Sequence, residues 1–385
     1  MEVRRILLRV VAAVVATAVV VAGYLLVHGD FQRWSDEAAL DGACDGLLDR
    51  NTVRDVLGPG TVEVEDAIHD LDRRAAEVSG TDLMGCEVRV QGGGAAEISV
   101  LDTTRVGRRL EHFYYRSTSS ELAVPVGHGW TGLFGAIPDD SGTRNAFRAD
   151  GNGKATTLLV LQCTGRNGVD SLFVTVRTTL GKSPDDPAAR PEFTRIATST
   201  AARVSKARNC GAGLGKPVGS LGLPVHENEY EPIGTADGTC SGISAARGVT
   251  TATETARGGA PHEMCLLGDA DGTARYSLEA DYGPYAQEKL YGYEADRLRR
   301  GKEGTPDDDT PAHHRDGEGR MSWTTARCAD GRALFTLHPV YERYERGERV
   351  GPPAGEADLA YERAVLKVFA ERSAKARGCS APAVP

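Results

Sequence analysis

Hydrophobic positions along this chain change their spacing several times, and each change predicts an element. Near the N-terminus, Ile6 to Val27 is almost continuously apolar, and Val10 to Val27 contains no charged residue. Eighteen residues span about 27 Å as a helix, close to the thickness of a bilayer's hydrocarbon core. Further on, Phe193, Ile196, Ala197, Ala201 and Val204 recur at helical spacing after Pro191, and Val365, Leu366, Phe369 and Ala370 do the same near the C-terminus. Both patterns predict amphipathic helices with one buried face. Between them lie short segments rich in β-branched residues around glycine-containing turns. Examples are Cys86 to Val100 around Gly92-Gly93-Gly94, and Cys265 to Leu278 around Asp271-Gly272. These predict β-hairpins.

The order of these elements repeats. Ser205-Lys-Ala-Arg-Asn-Cys210 closes the first helix, and Ala374-Lys-Ala-Arg-Gly-Cys379 closes the second. Cys163 followed by a turn and Leu172-Phe173 resembles Cys328 followed by a turn and Leu334-Phe335. Middle helices are expected at Val106, Leu110, Phe113 and Tyr114, and at Ala286, Leu290 and Tyr293. Cys44 to Pro59 and Cys210 to Pro224 look like matching starts, each opening with a short helix. The expected fold class is α+β: an N-terminal transmembrane helix, then two tandem modules, each an antiparallel sheet covered by helices. The expected division is a tail at 1–5, an anchor at 6–28, a linker at 29–42, modules at 43–209 and 210–379, and a tail at 380–385. Two long stretches, Val124 to Lys154 and Gly301 to Arg320, are expected as irregular loops at equivalent places, where binding surfaces commonly sit.

Charge decides the orientation of the apolar run. Arg4, Arg5 and Arg9 precede or enter it, whereas Asp30 and Asp36 follow. The positive-inside bias then puts the N-terminus in the cytoplasm and the bulk of the chain outside, as a single-pass protein of the cell membrane. A second reading stays open: Ala16-Thr17-Ala18 has the form of a signal-peptidase site, although nine apolar or small residues continue beyond it. The net charge of −9 argues against nucleic acid as a partner.

Eight cysteines, Cys44, Cys86, Cys163, Cys210, Cys240, Cys265, Cys328 and Cys379, all follow the apolar run, with no Cys-x-x-Cys among them. In an exported chain this predicts disulfides. Neighbouring strands suggest Cys86 with Cys163 and Cys265 with Cys328, and Cys44 with Cys210 would tie the first module's start to its closing helix, which leaves Cys240 with Cys379.

Catalytic signatures are missing. Gly219-Ser220-Leu221-Gly222 lacks the nucleophile spacing. His226-Glu-Asn-Glu-Tyr230 has Tyr where a zinc-protease helix needs its second His. Gly211-Ala-Gly213-Leu-Gly215-Lys216 lacks the phosphate-loop spacing and follows a helix instead of a strand. Asp269-x-Asp271-Gly272 fails as a calcium loop and reads as a hairpin turn. His313 and His314 stand near three aspartates, but adjacent residues of an extended loop point apart. Gly127-His128-Gly129-Trp130 allows close backbone approach and offers a large contact surface. The speculative contact residues are therefore Gly127, His128, Trp130, His313 and His314. No cofactor, metal or catalytic residue is expected.

Cys44-Asp-Gly-Leu-Leu, followed by Val53-Arg-Asp-Val-Leu-Gly58 and then by Cys86 opening a strand, resembles domains of actinobacterial exported and membrane-anchored proteins of unknown function. The resemblance implies an envelope protein of mixed α/β fold and transfers no catalytic residue. The expectation is a non-enzymatic protein that binds an envelope protein or small ligand; the alternative is an envelope enzyme with its site between the two modules.

Overall fold

The computed structural model describes residues 14, 15, 17, 30–65, 84–102, 115–116, 121–135, 137–138, 153–165, 171–290, 314–315, 321–340, 343–345, 348–350 and 355–383. The expected anchor lies almost wholly outside them, as do His313 and the first middle helix. Among the described residues no helix is long and apolar enough to cross a membrane.

The fold is α+β and, among the described residues, is built on two antiparallel seven-stranded sheets with three two-stranded pairings beside them. In the first module helices α1 (Asp30–Gly42) and α2 (Arg50–Leu57) lead into β1 (Val62–Glu65), β2 (Met84–Val90) and β3 (Ala95–Asp102). Then follow β4 (Val124–Gly127), β5 (Trp130–Phe134), β6 (Lys154–Gln162), β7 (Ser171–Thr179) and helix α3 (Glu192–Ala207). The second module contains β8 (Glu231–Pro232), β9 (Thr251–Glu254), β10 (His262–Gly268), β11 (Ala274–Asp281), β12 (His314–Arg315), β13 (Met321–Cys328), β14 (Gly331–Pro339) and helix α4 (Glu356–Arg377).

The two sheets share one strand order. The first sheet runs β1-β2-β3-β7-β6-β5-β4 and the second runs β8-β9-β10-β11-β14-β13-β12. In each, a hairpin (β2–β3 or β10–β11) lies beside a second hairpin (β6–β7 or β13–β14), and the long helix follows the last strand of the second hairpin.

The period-two alternation of the strands separates two apolar layers per sheet. Leu159, Leu161, Val174 and Val176 face α3 and pack with its Phe193, Ile196, Ala197, Ala201 and Val204. Their neighbours Leu158, Val160 and Phe173 point the other way and pack against Ala260 and Tyr285 of the second module. In the second sheet Cys265, Leu267, Leu278, Phe335 and Leu337 face Val365, Leu366, Phe369 and Ala370 of α4. Met264 and Leu266, on the opposite face, meet Leu122 of the first module. The layers are thus helix, sheet, sheet, helix. A backbone hydrogen bond from Gly132 N to Gly259 O (3.1 Å) joins the modules across the middle. The two long helices form where the apolar spacing places them. Helix α4 starts at Gly355, whose N–H is accepted by Asp358, and stops at Gly378, whose φ of 73° closes a left-handed cap.

All eight cysteines are bridged, but none in the expected combination. The pairs are Cys44–Cys86, Cys163–Cys210, Cys240–Cys265 and Cys328–Cys379. The expected Cys86–Cys163, Cys265–Cys328, Cys44–Cys210 and Cys240–Cys379 bridges do not form. In each module one bridge ties a segment upstream of the central hairpin, the short helix at Cys44 or the β8–β9 connection at Cys240, to that hairpin's first strand. The other ties the fourth central strand to the end of the long helix. The reason is geometric: two strands stand between β2 and β6, and two between β10 and β13, so the cysteines expected to pair are on strands that are not neighbours, and each instead meets a segment packed beside its own strand. The observed pairing is symmetric, with Cys44 matching Cys240 and Cys210 matching Cys379.

Other expectations change with it. The short helix expected after Cys210 is absent: 211–224 has no regular secondary structure and runs along the first module. The start of the Val124 to Lys154 stretch is regular: β4 and β5 form a hairpin that extends the sheet. The second middle helix is present over 284–290, with Ala286 buried.

Candidate functional site

The Gly127-His128-Gly129-Trp130 segment is a tight hairpin turn. Gly127 pairs with Trp130, and His128 and Gly129 have φ of 55° and 84°, a conformation that glycine accommodates freely. Trp130 is only 5% exposed. Its indole N–H donates to Lys216 O at 2.9 Å, and Lys216 N–H donates to His128 O at 2.8 Å. His128 Nε2 lies 2.8 Å from Ser220 O. Gly215 sits flat on the indole: a Cβ there would fall 2.3 Å from Trp130 Cδ1. The glycine-rich segment that superficially resembles a phosphate loop is therefore a strap, and its glycines permit contact with Trp130. Arg190, itself buried, fastens the strap's far end through Nη1 to Leu221 O at 2.6 Å. Of the remaining expected contact residues, His314 contributes backbone to β12 opposite Ser322, and His313 is outside the described residues.

A group that sequence reading passed over lies between the sheets. His262 opens β10 and Asp281 ends β11, directly opposite in the hairpin register. Their side chains are 1% and 0% exposed, with His262 Nδ1 2.8 Å from Asp281 Oδ1. An ionised carboxylate only accepts, so Nδ1–H donates. Lys289 Nζ lies 2.7 Å from Asp281 Oδ2 and also contacts Glu279. Burial works to raise the Glu279 carboxyl, but Lys289, with His262 and His338, outweighs it and holds the group at about 2. The imidazole stacks on Tyr285, with ring centroids 6.1 Å apart, and Tyr285 packs on Phe173 of the first module at 5.8 Å. His262, Glu279 and Asp281 have a metal-ligand composition and compact placement. The lysine ammonium already occupies the cation's position between both carboxylates, which does not fit a resident metal. The turn at Asp269 to Gly272 signalled the hairpin, but a bulge at Leu267/Gly268 shifts the register by one, and only with that shift does residue 262 stand against 281.

A second buried network fastens α4. Glu263 accepts from Ser373 Oγ at 3.1 Å and from Gly258 N at 3.1 Å, and Arg257 Nη1 lies 3.8 Å away. Burial pushes the Glu263 carboxyl up, against the pull of Arg257.

The accessible feature is a groove of about 430 Å³ in the second module. Its lining includes the buried Leu266 and Thr253 and the half-buried Val340, with Glu227, Tyr230 and Asp271 exposed around them. Leu266 also packs on Leu122, so the groove opens at the margin of the layer between the sheets. One wall is the turn after Val225–His226, a short strand paired with Glu121–Leu122. His226-Glu-Asn-Glu229 forms this turn instead of a helix: Glu229 N–H donates to His226 O at 2.9 Å, and the Glu229 carboxylate accepts from His226 N at 2.8 Å. The opposite wall is the β10–β11 turn. There Asp269 Oδ1 accepts from the N–H of Asp271 at 3.1 Å and of Thr273 at 3.2 Å, which makes this segment the expected hairpin turn. The Tyr230 ring closes the gap. It lies against Gly272, where a Cβ would come within 2.1 Å of Cε1, and remains 39% exposed.

No family model and no curated protein matches the chain. Among solved structures, a chain of the Pseudomonas aeruginosa MucA/MucB complex aligns over 79% of this chain and 86% of its own length, at 10% identity and a TM-score of 0.15. At that score the similarity carries no argument about fold or role.

Proposed function

We propose that this is a single-pass membrane protein whose extracytoplasmic part, the two disulfide-stapled modules, binds another component of the cell envelope without catalysing a reaction. The observation that carries this reading is the complete pairing of the cysteines. Four bridges in one chain fit an oxidising compartment and would not persist against cytosolic reductants. The apolar run at 6–28, flanked by arginines on one side, supplies the anchor. The groove at Tyr230 supplies an accessible surface with preformed walls, and it replaces Trp130 as the contact surface because the strap covers the indole.

An envelope enzyme working between the modules is the second reading, favoured by the His262–Asp281 pair. Against it, both side chains are closed off between two sheets and Lys289 caps the carboxylate, so a substrate has no way to reach them in this conformation.

Two measurements test the proposal. A non-reducing peptide mass map of the protein taken from its native membrane is expected to yield the four bridges and no free thiol. Free thiols throughout would remove the export reading. A photoreactive residue at Tyr230 in living cells is expected to give a discrete adduct, whereas one at exposed Glu63, on the far edge strand of the first sheet, gives none. Equal, diffuse labelling at both would count against a docking surface.

A further inference from the structure

We propose that the groove receives a basic side chain, Arg or Lys, carried on a segment of a partner protein. This rests on the binding reading above and adds the chemistry of the partner. Glu227 and Asp271 are the charged residues among those lining the groove, and both are anionic. They come from opposite walls, one on the turn after His226 and one on the β10–β11 turn. Arg275, next in the chain to the lining residue Ala274, is engaged with Asp269 at 3.3 Å, and among the described residues no ion pair engages the two lining carboxylates. Both stand on turns tied by their own backbone and carboxylate hydrogen bonds, through Glu229 and Asp269, so little ordering is needed on binding.

The rest of the groove suits the methylene stem of the same side chain. Leu266 and Val340 give an apolar lining, and long basic side chains bury their stems on such surfaces while the head stays at a polar rim. The Tyr230 ring adds a face for a guanidinium or ammonium. An exposed tyrosine at the mouth of an open trough is typical of protein interfaces, which selects a side chain on a protein over a free amine. The chain's net charge of −9 would steer such a partner toward it.

The test uses the full-length protein in detergent and a fluorescein-labelled Gly-Ser-Arg-Leu-Arg-Ser-Gly amide, read by anisotropy. Its comparison is the same peptide with citrulline, the neutral isostere, at both arginines. The arginine peptide is expected to bind about tenfold more tightly than the citrulline peptide. E227Q combined with D271N is expected to abolish that preference, and Tyr230→Ala to weaken binding of the arginine peptide. E63Q combined with E65Q, which removes the same charge from exposed positions on the other module, is expected to change neither. Equal binding of both peptides overturns the proposal, as does an equal loss in the E63Q and E65Q control. Agmatine competing as strongly as the peptide overturns the protein-segment assignment in favour of a small amine. Absence of peptide binding together with a retained cellular adduct at Tyr230 would refute the basic side chain and leave the docking reading standing.

Discussion

The indole N–H of Trp130 donates to the carbonyl of Lys216, 86 positions away, at 2.9 Å. This bond holds the strap between the modules against the edge hairpin of the first sheet. Because Val225 continues the strap into the wall of the groove, the same contact sets where that wall stands.

Replacing Trp130 tests this arrangement. Trp130→Ala removes a buried ring and is expected to destabilise the protein by about 3–5 kcal/mol. Trp130→Phe keeps most of the packing but loses the donor, and is expected to cost about 1 kcal/mol. Urea denaturation of both variants gives the difference. A near-zero effect of Trp130→Ala would show that the strap is not held at this point.

Asp49 predicts the behaviour in acid. Its carboxylate caps α2 by accepting from Thr52 N at 2.8 Å and pairs with Arg203 of α3 at 2.7 Å. The Thr52 backbone N–H, followed by Arg203, lowers the carboxyl to about 2, below its unfolded value of about 3.9. A depressed acid stabilises the fold above the unfolded value and loses that contribution as the pH falls through the folded one. The Asp49→Ala variant is therefore expected to be about 1 kcal/mol less stable at neutral pH, with the gap to the parent closing between about pH 4 and pH 2. Thermal melts across that interval measure it; a gap independent of pH would refute the ionised cap.

Lys289 stands between two carboxylates. Lys289→Met leaves Asp281 and Glu279 without their cation and is expected to cost about 3–5 kcal/mol. Adding Glu279→Gln removes one of the uncompensated charges and is expected to recover part of the loss. A double variant no more stable than Lys289→Met alone would mean that the lysine acts by packing. A double-mutant cycle from denaturation curves separates the two.

Much of the fold was legible in the chain. Phe193 to Val204 and Val365 to Ala370 marked the two long helices, because a helical stripe needs only its own residues to be visible. The turn at Asp269 to Gly272 marked a hairpin, but the opposition of His262 and Asp281 depends on a bulge at Leu267/Gly268 that the sequence pattern does not show. The candidate site was less legible. Tyr230 and Glu227 sit in a segment that reads as a failed zinc-protease helix, and what makes them a wall is a hairpin tip some forty residues away that brings Gly272 under the ring.

The sequence by itself determined the hairpins after Cys86 and Cys265, the buried faces of α3 and α4, and an even set of cysteines free of metal-binding spacing. These follow from periodicity and count, which are properties of neighbours along the chain. Tertiary structure alone decided that Cys163 meets Cys210 instead of Cys86, that Trp130 serves a strap instead of a partner, and that the faces carrying Phe173 and Met264 turn toward each other and enclose His262. Period-two alternation tells which side chains share a face of a sheet. Which face then meets which is set by how the two sheets bury their remaining apolar area together, and no local pattern encodes that choice.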